Sequence, residues 1–215
     1  MLTQRDKSII NDLNKFRVMD RDSIAELHFS GLKNPKYAAN NVLLRLLREG
    51  KIQRSTAFVP YVYFGPDVNM KQNSAKIGHF LAIVNVYKEL KRLGSLSAFL
   101  VEPKYGKKGE CAEPDIYCVY RDTPFFIEVQ NSIFNEKQMN EKLDRYVDLF
   151  NLGKLNPFPR LLILSDQQRY AIDGDYPFQV FQAESVTQFV NSLRPVKKVQ
   201  PVINKSKIKR NVGVN

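Results

Sequence analysis

The sequence predicts an α/β chain, α+β overall, in which a small helical domain with a hairpin precedes a larger domain of element order αβββαβ. Three observations lead to this fold class. Apolar residues recur at helical spacing through the N-terminal segment. Runs of β-branched and aromatic residues at 116–120 and 123–127 are then separated by a short turn, as in a hairpin. Further segments with helical periodicity lie on both sides of these runs.

Three helices are predicted before Gly50. The apolar spacing indicates a first helix over residues 4–17. The polar cluster at residues 20–23 offers an N-cap for a short second helix. A third helix is expected over residues 36–49, where Gly50 supplies a C-terminal cap because glycine readily takes the left-handed conformation.

Two strand candidates follow the third helix, at residues 52–54 and 59–64. Three helices and a hairpin form the order of a winged helix-turn-helix domain, to which we assign residues 1–66. Its third helix is expected to enter the major groove, where Asn can pair with adenine and Lys or Arg with phosphate or guanine. The predicted DNA-binding residues are Lys36, Asn40, Asn41 and Arg45 on the helix and Arg48, Lys51 and Arg54 on the wing side. Binding of a protein, or dimerisation, is the alternative for such a domain.

A polar segment without periodicity, residues 67–75, is predicted to link this domain to a second one at 76–195. The second domain is expected to begin with a helix over residues 75–92. Its strands are expected at residues 97–101, 116–120, 123–127 and 161–164, with a long amphipathic helix before the last of these. A short strand at 178–181 and a helix at 185–193 are predicted to complete it.

Two carboxylates are expected to meet at the open end of the predicted hairpin. With Arg121 and Asp122 in the turn, Asp115 and Glu128 come side by side. Paired carboxylates suit a hard cation such as Mg²⁺ or Mn²⁺, which fills the rest of its shell with water and phosphate. Asp115 and Glu128 are therefore the predicted metal ligands.

The motifs Glu113-Pro114-Asp115 and Glu128-Val129-Gln130 resemble those of the PD-(D/E)xK nuclease superfamily. The resemblance implies that the two carboxylates hold the metal and that the third position, usually Lys, orients the attacking water. Gln130 can hydrogen-bond a water but carries no charge. Lys137 or Lys142 could supply the charge and Glu89, Glu102 or Glu113 a further carboxylate, although each is individually expected to be an ordinary surface charge. His79 is expected to be structural.

The whole arrangement resembles the replication-relaxation family of plasmid, phage and integrative-element proteins. That family joins an N-terminal winged helix to a nuclease-like domain, and many members look catalytically degenerate. The resemblance implies a DNA-binding accessory for replication, mobilisation or its transcriptional control. Its partners would be double-stranded DNA, a relaxase or replication protein, and a second copy in a homodimer. The matching segments are residues 43–52, 79–87, 113–115, 125–128 and 142–146.

The charge distribution favours a polyanionic partner. The net charge is +11 and the isoelectric point is near 9.6. Residues 1–66 carry eleven basic and six acidic side chains, and residues 194–215 carry seven basic and none acidic. Nucleic acid is the first expectation and an acidic membrane surface the second. The segment 196–215 is predicted to be a flexible basic arm along DNA phosphates, with a solubilising tail as the alternative.

The cysteine content and the distribution of apolar residues limit the classes of protein to which the chain can belong. Cys111 and Cys118 are the only cysteines, and their spacing matches neither a disulfide framework nor a zinc site. The polar N-terminus and the absence of a long apolar run predict a cytoplasmic protein that does not enter a membrane. Three functions remain: a DNA-binding protein with a noncatalytic nuclease-like domain, a metal-dependent endonuclease using Asp115, Glu128 and Gln130, or a protein-interaction scaffold.

Overall fold

Six helices and two β-sheets make up the part of the chain that the structure, a computed structural model, describes: residues 1–172 and 174–193. The fold is therefore mixed α/β, as predicted. The basic arm predicted at 196–215 lies outside the described residues.

The first unit contains three helices and a small sheet. Thr3 and Asp6 form a capping box that begins the first helix, and Asp20 caps the second by accepting a hydrogen bond from the backbone of Ser23. Asn34 caps the third helix, and Gly50 follows it with a φ of 66°. The elements are α1 (Gln4–Phe16), β1 (Val18–Asp20), α2 (Arg21–Phe29), α3 (Pro35–Arg48), β2 (Gln53–Ser55) and β3 (Val62–Phe64).

The sheet of the first unit has three strands in the order β1-β3-β2, all antiparallel. The predicted hairpin is present, but β3 is shorter than the predicted strand at 59–64. Strand β1 was not predicted: of its three residues, only Asp20 belongs to the predicted cap of α2, and Val18 and Met19 lie between two predicted helices without a periodic pattern. It pairs with β3 and ties the start of α2 to the sheet.

The second unit contains all the predicted helices and strands, in the predicted order. Residues 67–75 contain no helix or strand, as expected of a connecting segment. The elements are α4 (Ile77–Leu93), β4 (Leu96–Val101), β5 (Ile116–Tyr120), β6 (Thr123–Val129), α5 (Glu136–Asn151), β7 (Arg160–Leu164), β8 (Val180–Ala183) and α6 (Val186–Ser192).

The second sheet has five strands in the order β4-β5-β6-β7-β8. Strands β4, β5 and β6 are antiparallel, and β6, β7 and β8 are parallel. Arg121 and Asp122 form the predicted two-residue turn, both with positive φ, and Tyr120 pairs with Thr123. Helix α5 makes the crossover between the parallel strands β6 and β7.

The two units share one hydrophobic core. Phe16 at the end of α1 is fully buried, and its ring lies 5.1 Å from that of Tyr87 in α4 and 5.9 Å from that of Phe99 in β4. The side-chain amide of Asn14 donates to Asp67 at 2.6 Å, which ties the connecting segment to α1. The units are therefore packed together across this core.

None of the helices in the described ranges combines the length and apolar composition needed to cross a bilayer.

Candidate functional site

Asp115 and Glu128 lie together at the open end of the β5–β6 hairpin. Ile116 pairs with Ile127, so the two carboxylates follow directly on the last pair of the ladder. The backbone N–H of Val129 donates to Asp115 at 2.8 Å, which orients the Asp115 carboxylate along β6. The turn geometry predicted from the sequence therefore brings the expected pair together.

His79 of α4 binds the other oxygen of Asp115. Its Nε2 lies 3.2 Å from Asp115 Oδ1, and both side chains are largely covered. The hydrogen bond to Asp115 raises the pKa of His79 against the opposing effect of burial. Burial would raise the pKa of Asp115, but the hydrogen bond and charge of His79 outweigh it, so that the pKa of Asp115 lies below its ordinary value.

Glu128 is buried and has a partner on each oxygen. The hydroxyl of Tyr146 donates to one oxygen, and the ammonium of Lys142 lies 2.5 Å from the other. Burial raises the pKa of Glu128 to about 7, and the nearby charge of Asp115 acts in the same direction. Burial lowers the pKa of Lys142, but the charges of Glu128 and Asp115 raise it by more, so the net shift of the pKa is upward.

Gln130 joins the same cluster through Lys142. Its amide nitrogen donates to the carbonyl of Ser132 at 2.8 Å, which leaves the amide oxygen to accept from Lys142 at 3.4 Å. Lys142 therefore joins Glu128 to Gln130, and Asp115, bound to His79, lies beside Glu128 through the register of the hairpin.

Lys142 is the residue that sequence reasoning undervalued. It was expected to be an ordinary charge on a solvated helix face. The helical repeat indicates that Lys142 lies near the buried face of α5, because it follows the buried Met139 by three residues and precedes the buried Tyr146 by four. Those spacings put it at the edge of the buried face of α5. His79 was likewise expected to be structural, and it contacts Asp115 directly.

The other charged candidates are paired with residues outside this cluster. Each has a partner of its own at the surface or between elements: Glu102 with Arg17, Glu113 with Lys104, Glu89 with Thr187 and Lys137 with Glu141. The carboxylate cluster is therefore Asp115, Glu128, Gln130, His79, Lys142 and Tyr146.

A cavity of about 270 Å³ opens beside the carboxylate cluster. Glu128, Lys142 and Tyr146 line it together with Lys108, Arg145 and Glu113, so that its charged lining has three basic and two acidic side chains. The cluster is thus reached from a concave surface that carries both signs of charge.

The donor set of the cluster is compatible with a hard cation but is already internally bonded. Two carboxylates are the ligands that Mg²⁺ or Mn²⁺ takes in such sites. Every oxygen of Asp115 and Glu128 has a donor, from Val129, His79, Tyr146 or Lys142. Each of these oxygens has a second lone pair, so a metal bound by the two carboxylates would share the oxygens with these donors. Among the described residues, no group of three or more His, Cys, Asp or Glu is arranged to hold a metal.

Comparisons with protein families, curated proteins and solved structures found no significant match for this chain.

A second candidate surface lies on α3. One helical stripe faces away from the core, because Ala39, Leu43 and Leu46 occupy the opposite, buried side. We call it the α3 stripe; its residues are Tyr37, Asn40, Asn41, Leu44 and Arg48. Tyr37 is 64% exposed and Leu44 is 41% exposed, although neither was among the predicted binding residues.

The structure separates the predicted cations of this surface into paired and unpaired groups. Lys36 lies 2.8 Å from Asp22 of α2. Arg45 lies 2.6 Å from the buried Asp6 and 3.3 Å from Glu49. The Arg45 guanidinium is thus committed to neutralising a carboxylate in the core of the first unit.

The remaining predicted residues stay available at the surface. Arg48 and Lys51 are exposed, and Arg54 lies over the ring of Tyr61 at 4.8 Å. Asn41 is exposed and Asn40 half-buried, and within the described residues neither amide makes a side-chain hydrogen bond. Within the described residues, the α3 stripe therefore carries two free amides and the unpaired Arg48, and the exposed Lys51 follows just beyond the end of α3.

Proposed function

We propose that this chain is a DNA-binding protein in which α3 enters the major groove and the β2–β3 hairpin contacts the backbone. Three helices followed by a hairpin support this proposal, since that is the order of a winged helix-turn-helix domain. The observation that carries it is the α3 stripe, which offers Asn40 and Asn41 without intramolecular partners. Such amides pair with base edges, and the nearby Arg48 and Lys51 suit phosphates.

The second unit, in this proposal, is a nuclease-like domain that contributes to DNA contact or dimerisation. The order from α4 to β7 supports it, because αβββαβ is the core order of PD-(D/E)xK proteins. The resemblance to the replication-relaxation family suggests the setting: replication, mobilisation or its transcriptional control in a plasmid, phage or integrative element. A relaxase or replication protein, and a second copy of the chain, are the proposed protein partners.

A titration of duplex DNA tests the proposal. The target is obtained by selection from random duplexes, and affinity is measured by fluorescence anisotropy over a salt series with the full chain. We expect Asn40→Ala with Asn41→Ala to abolish the preference for the target while leaving the salt slope unchanged, because amides contribute to base readout and not to counterion release. The matched control is Asn140→Ala with Asn191→Ala, two exposed helical asparagines of the second unit.

Two outcomes would contradict the proposal. One is a wild-type protein that binds no duplex at any salt concentration, which would favour a protein-interaction scaffold. The other is an unchanged preference for the target in the Asn40/Asn41 variant.

A metal-dependent endonuclease is the second candidate, and the position of Lys142 favours it. Gln130 lacks the charge of the usual lysine, but the Lys142 ammonium reaches both Glu128 and Gln130. In this candidate Asp115 and Glu128 would hold Mg²⁺ or Mn²⁺, which would supply Lewis acidity to a phosphodiester. Lys142 would stabilise charge that develops on the phosphate, and Gln130 would orient a water.

Cleavage of supercoiled plasmid with Mg²⁺ or Mn²⁺ tests this candidate. We expect nicking by the wild type and its loss in Asp115→Ala and in Lys142→Met. Asp144→Ala removes an exposed carboxylate from the same helix as Lys142 and is expected to retain activity. Intact plasmid with the wild type, on samples that still shift DNA, would eliminate the nuclease and leave the DNA-binding proposal standing.

A further inference from the structure

We infer that α3 reads a site rich in A·T base pairs, with Asn40 and Asn41 recognising adenine and Leu44 packing on the C5-methyl group of thymine. This inference rests on the proposed DNA-binding function and specifies its substrate. It follows from which side chains of α3 are paired within the protein and which remain free.

Two cations of α3, Lys36 near its start and Arg45 in its second half, form ion pairs within the protein. Arg45 binds Asp6, which is 1% exposed, and Lys36 binds Asp22 of α2. Releasing Arg45 would leave Asp6 Oδ1 without its hydrogen-bond donor, and the cost of an unsatisfied buried acceptor opposes that release. Since Arg and Lys are the side chains that recognise guanine, these ion pairs disfavour guanine readout by this part of the helix.

Two amides are left facing outward in the same helical turn. Asn40 and Asn41 lie between Tyr37 and Leu44 along the stripe and have no side-chain hydrogen bond within the described part of the chain. An Asn amide donates to N7 and accepts from the amino group of adenine in the major groove, a bidentate pairing that no other base offers in the same pattern. Free amides at this position therefore favour adenine.

Leu44 lies one turn beyond these amides on the same stripe. Its side chain is 41% exposed, whereas Leu43 and Leu46 beside it are fully buried. An exposed leucine gains little binding free energy against a polar base edge. The thymine C5-methyl group, in contrast, is an apolar surface in the major groove that a leucine can contact. Leu44 is therefore placed to contact the thymine of an A·T pair next to the one that an Asn reads.

Arg48 is the last residue of α3 and the free cation of the stripe. In helix-turn-helix proteins the N-terminal part of the recognition helix meets the base edges. Arg48 lies at the opposite end, beyond Leu44, and is assigned to a phosphate. It therefore adds affinity and salt dependence without adding a preference for guanine.

Base analogues test the inference with the full chain and its selected duplex. Replacing thymine by uracil removes only the C5-methyl group, and replacing adenine by 7-deazaadenine removes the N7 acceptor. We expect uracil at one thymine to weaken wild-type binding several-fold and to leave the affinity of Leu44→Ala unchanged. We expect 7-deazaadenine to weaken the wild type by about 5- to 150-fold, the range for loss of a good bidentate contact, with no further loss in Asn40→Ala with Asn41→Ala. Leu32→Ala, an exposed leucine outside α3, is the control for Leu44→Ala.

The outcomes separate this inference from the function on which it rests. A selected site made of G·C pairs, or wild-type affinity that is unchanged by uracil at every thymine, would overturn the A·T inference while leaving DNA binding in place. Failure of the wild type to bind any duplex would overturn both.

Discussion

The ammonium of Lys142 lies 2.5 Å from a carboxylate oxygen of the buried Glu128. The two residues come from α5 and β6, and Tyr146 and Gln130 complete the contact. The ion pair balances the charge of the most buried carboxylate in the cluster, so the integrity of this region of the second unit depends on Lys142.

Removal of Lys142 should destabilise the fold. Lys142→Met removes the charged partner of the buried Glu128, whose pKa of about 7 lets the carboxyl take up a proton at neutral pH, and we expect the free energy of unfolding to fall by about 1–3 kcal/mol. Lys137→Met, on the exposed face of the same helix, is expected to change it by less than about 0.5 kcal/mol. Urea unfolding measures both. Equal effects of the two substitutions would show that the Lys142–Glu128 pair contributes no stability.

The ion pair between His79 and Asp115 should make stability depend on pH. The pKa of His79 is raised, so its contribution is complete below its unfolded value of 6.5 and is lost as the pH rises through the folded value. The pKa of Asp115 is lowered, so its contribution is present above its unfolded value of 3.8 and is lost as the pH falls through the folded value. The pair therefore stabilises the fold most between these two values.

His79→Gln tests this pH dependence. At pH 5.5 we expect the wild type to exceed the variant by up to about 1 kcal/mol in the free energy of unfolding, and the difference to shrink at pH 8.5. In an Asp115→Asn background the substitution should have no pH-dependent effect. A difference that is the same at both pH values would contradict the assignment.

Substitution of two arginines of α3 should change different properties, the thermal stability for Arg45 and the DNA binding for Arg48. Arg45→Ala removes the partner of the buried Asp6 and is expected to lower the Tm by a few degrees. Arg48→Ala, at an exposed position, should leave the Tm unchanged and reduce the salt slope of DNA binding by about 1. Thermal unfolding and a salt titration of the same samples measure the two effects. A matching fall of Tm in both variants would refute the distinction between paired and free arginines.

A divalent cation should stabilise the fold if the carboxylate cluster binds it. Saturation at 100 times Kd corresponds to about 2.7 kcal/mol, so Mg²⁺ or Mn²⁺ is expected to raise the Tm of the wild type. Asp115→Ala should abolish the rise, and Asp144→Ala should retain it. A rise that persists in Asp115→Ala would assign the cation to another place, and no rise in the wild type would argue against a metal at this cluster.

The shared core should make the two units unfold together. Phe16→Ala removes a fully buried ring that contacts Tyr87 and Phe99, and we expect the free energy of unfolding to fall by about 3–5 kcal/mol.

Far- and near-ultraviolet circular dichroism should report one coincident unfolding transition for the wild type. Two separate transitions would show that the units are energetically independent.

Most elements of the fold could be predicted because they depend on neighbours in the chain. The β5–β6 hairpin is the clearest case: the turn at Arg121 and Asp122 sets the register, and the register brings Asp115 beside Glu128. Strand β1 could not be predicted in the same way, because three residues carry no periodicity. Its pairing with β3 depends on a partner more than forty residues away.

The candidate site was only partly predictable for the same reason. The spacing of the motifs identifies Asp115, Glu128 and Gln130, but it does not indicate which lysine reaches them. The sequence places Asn40, Asn41 and Arg45 along α3 and predicts all three as DNA-binding residues. The tertiary structure distinguishes them, because Asp6, 39 residues from Arg45, is buried where its carboxylate needs a cation.

Local sequence thus decides where most helices and turns begin and end, since periodicity and capping act within a few residues. Tertiary structure decides which charges are free to meet a ligand. The pairing of a charge depends on the distance to its partner and on burial, and both are set by the packing of segments far apart in the chain. Lys142 joins the carboxylate cluster and Arg45 pairs with Asp6 for this one reason.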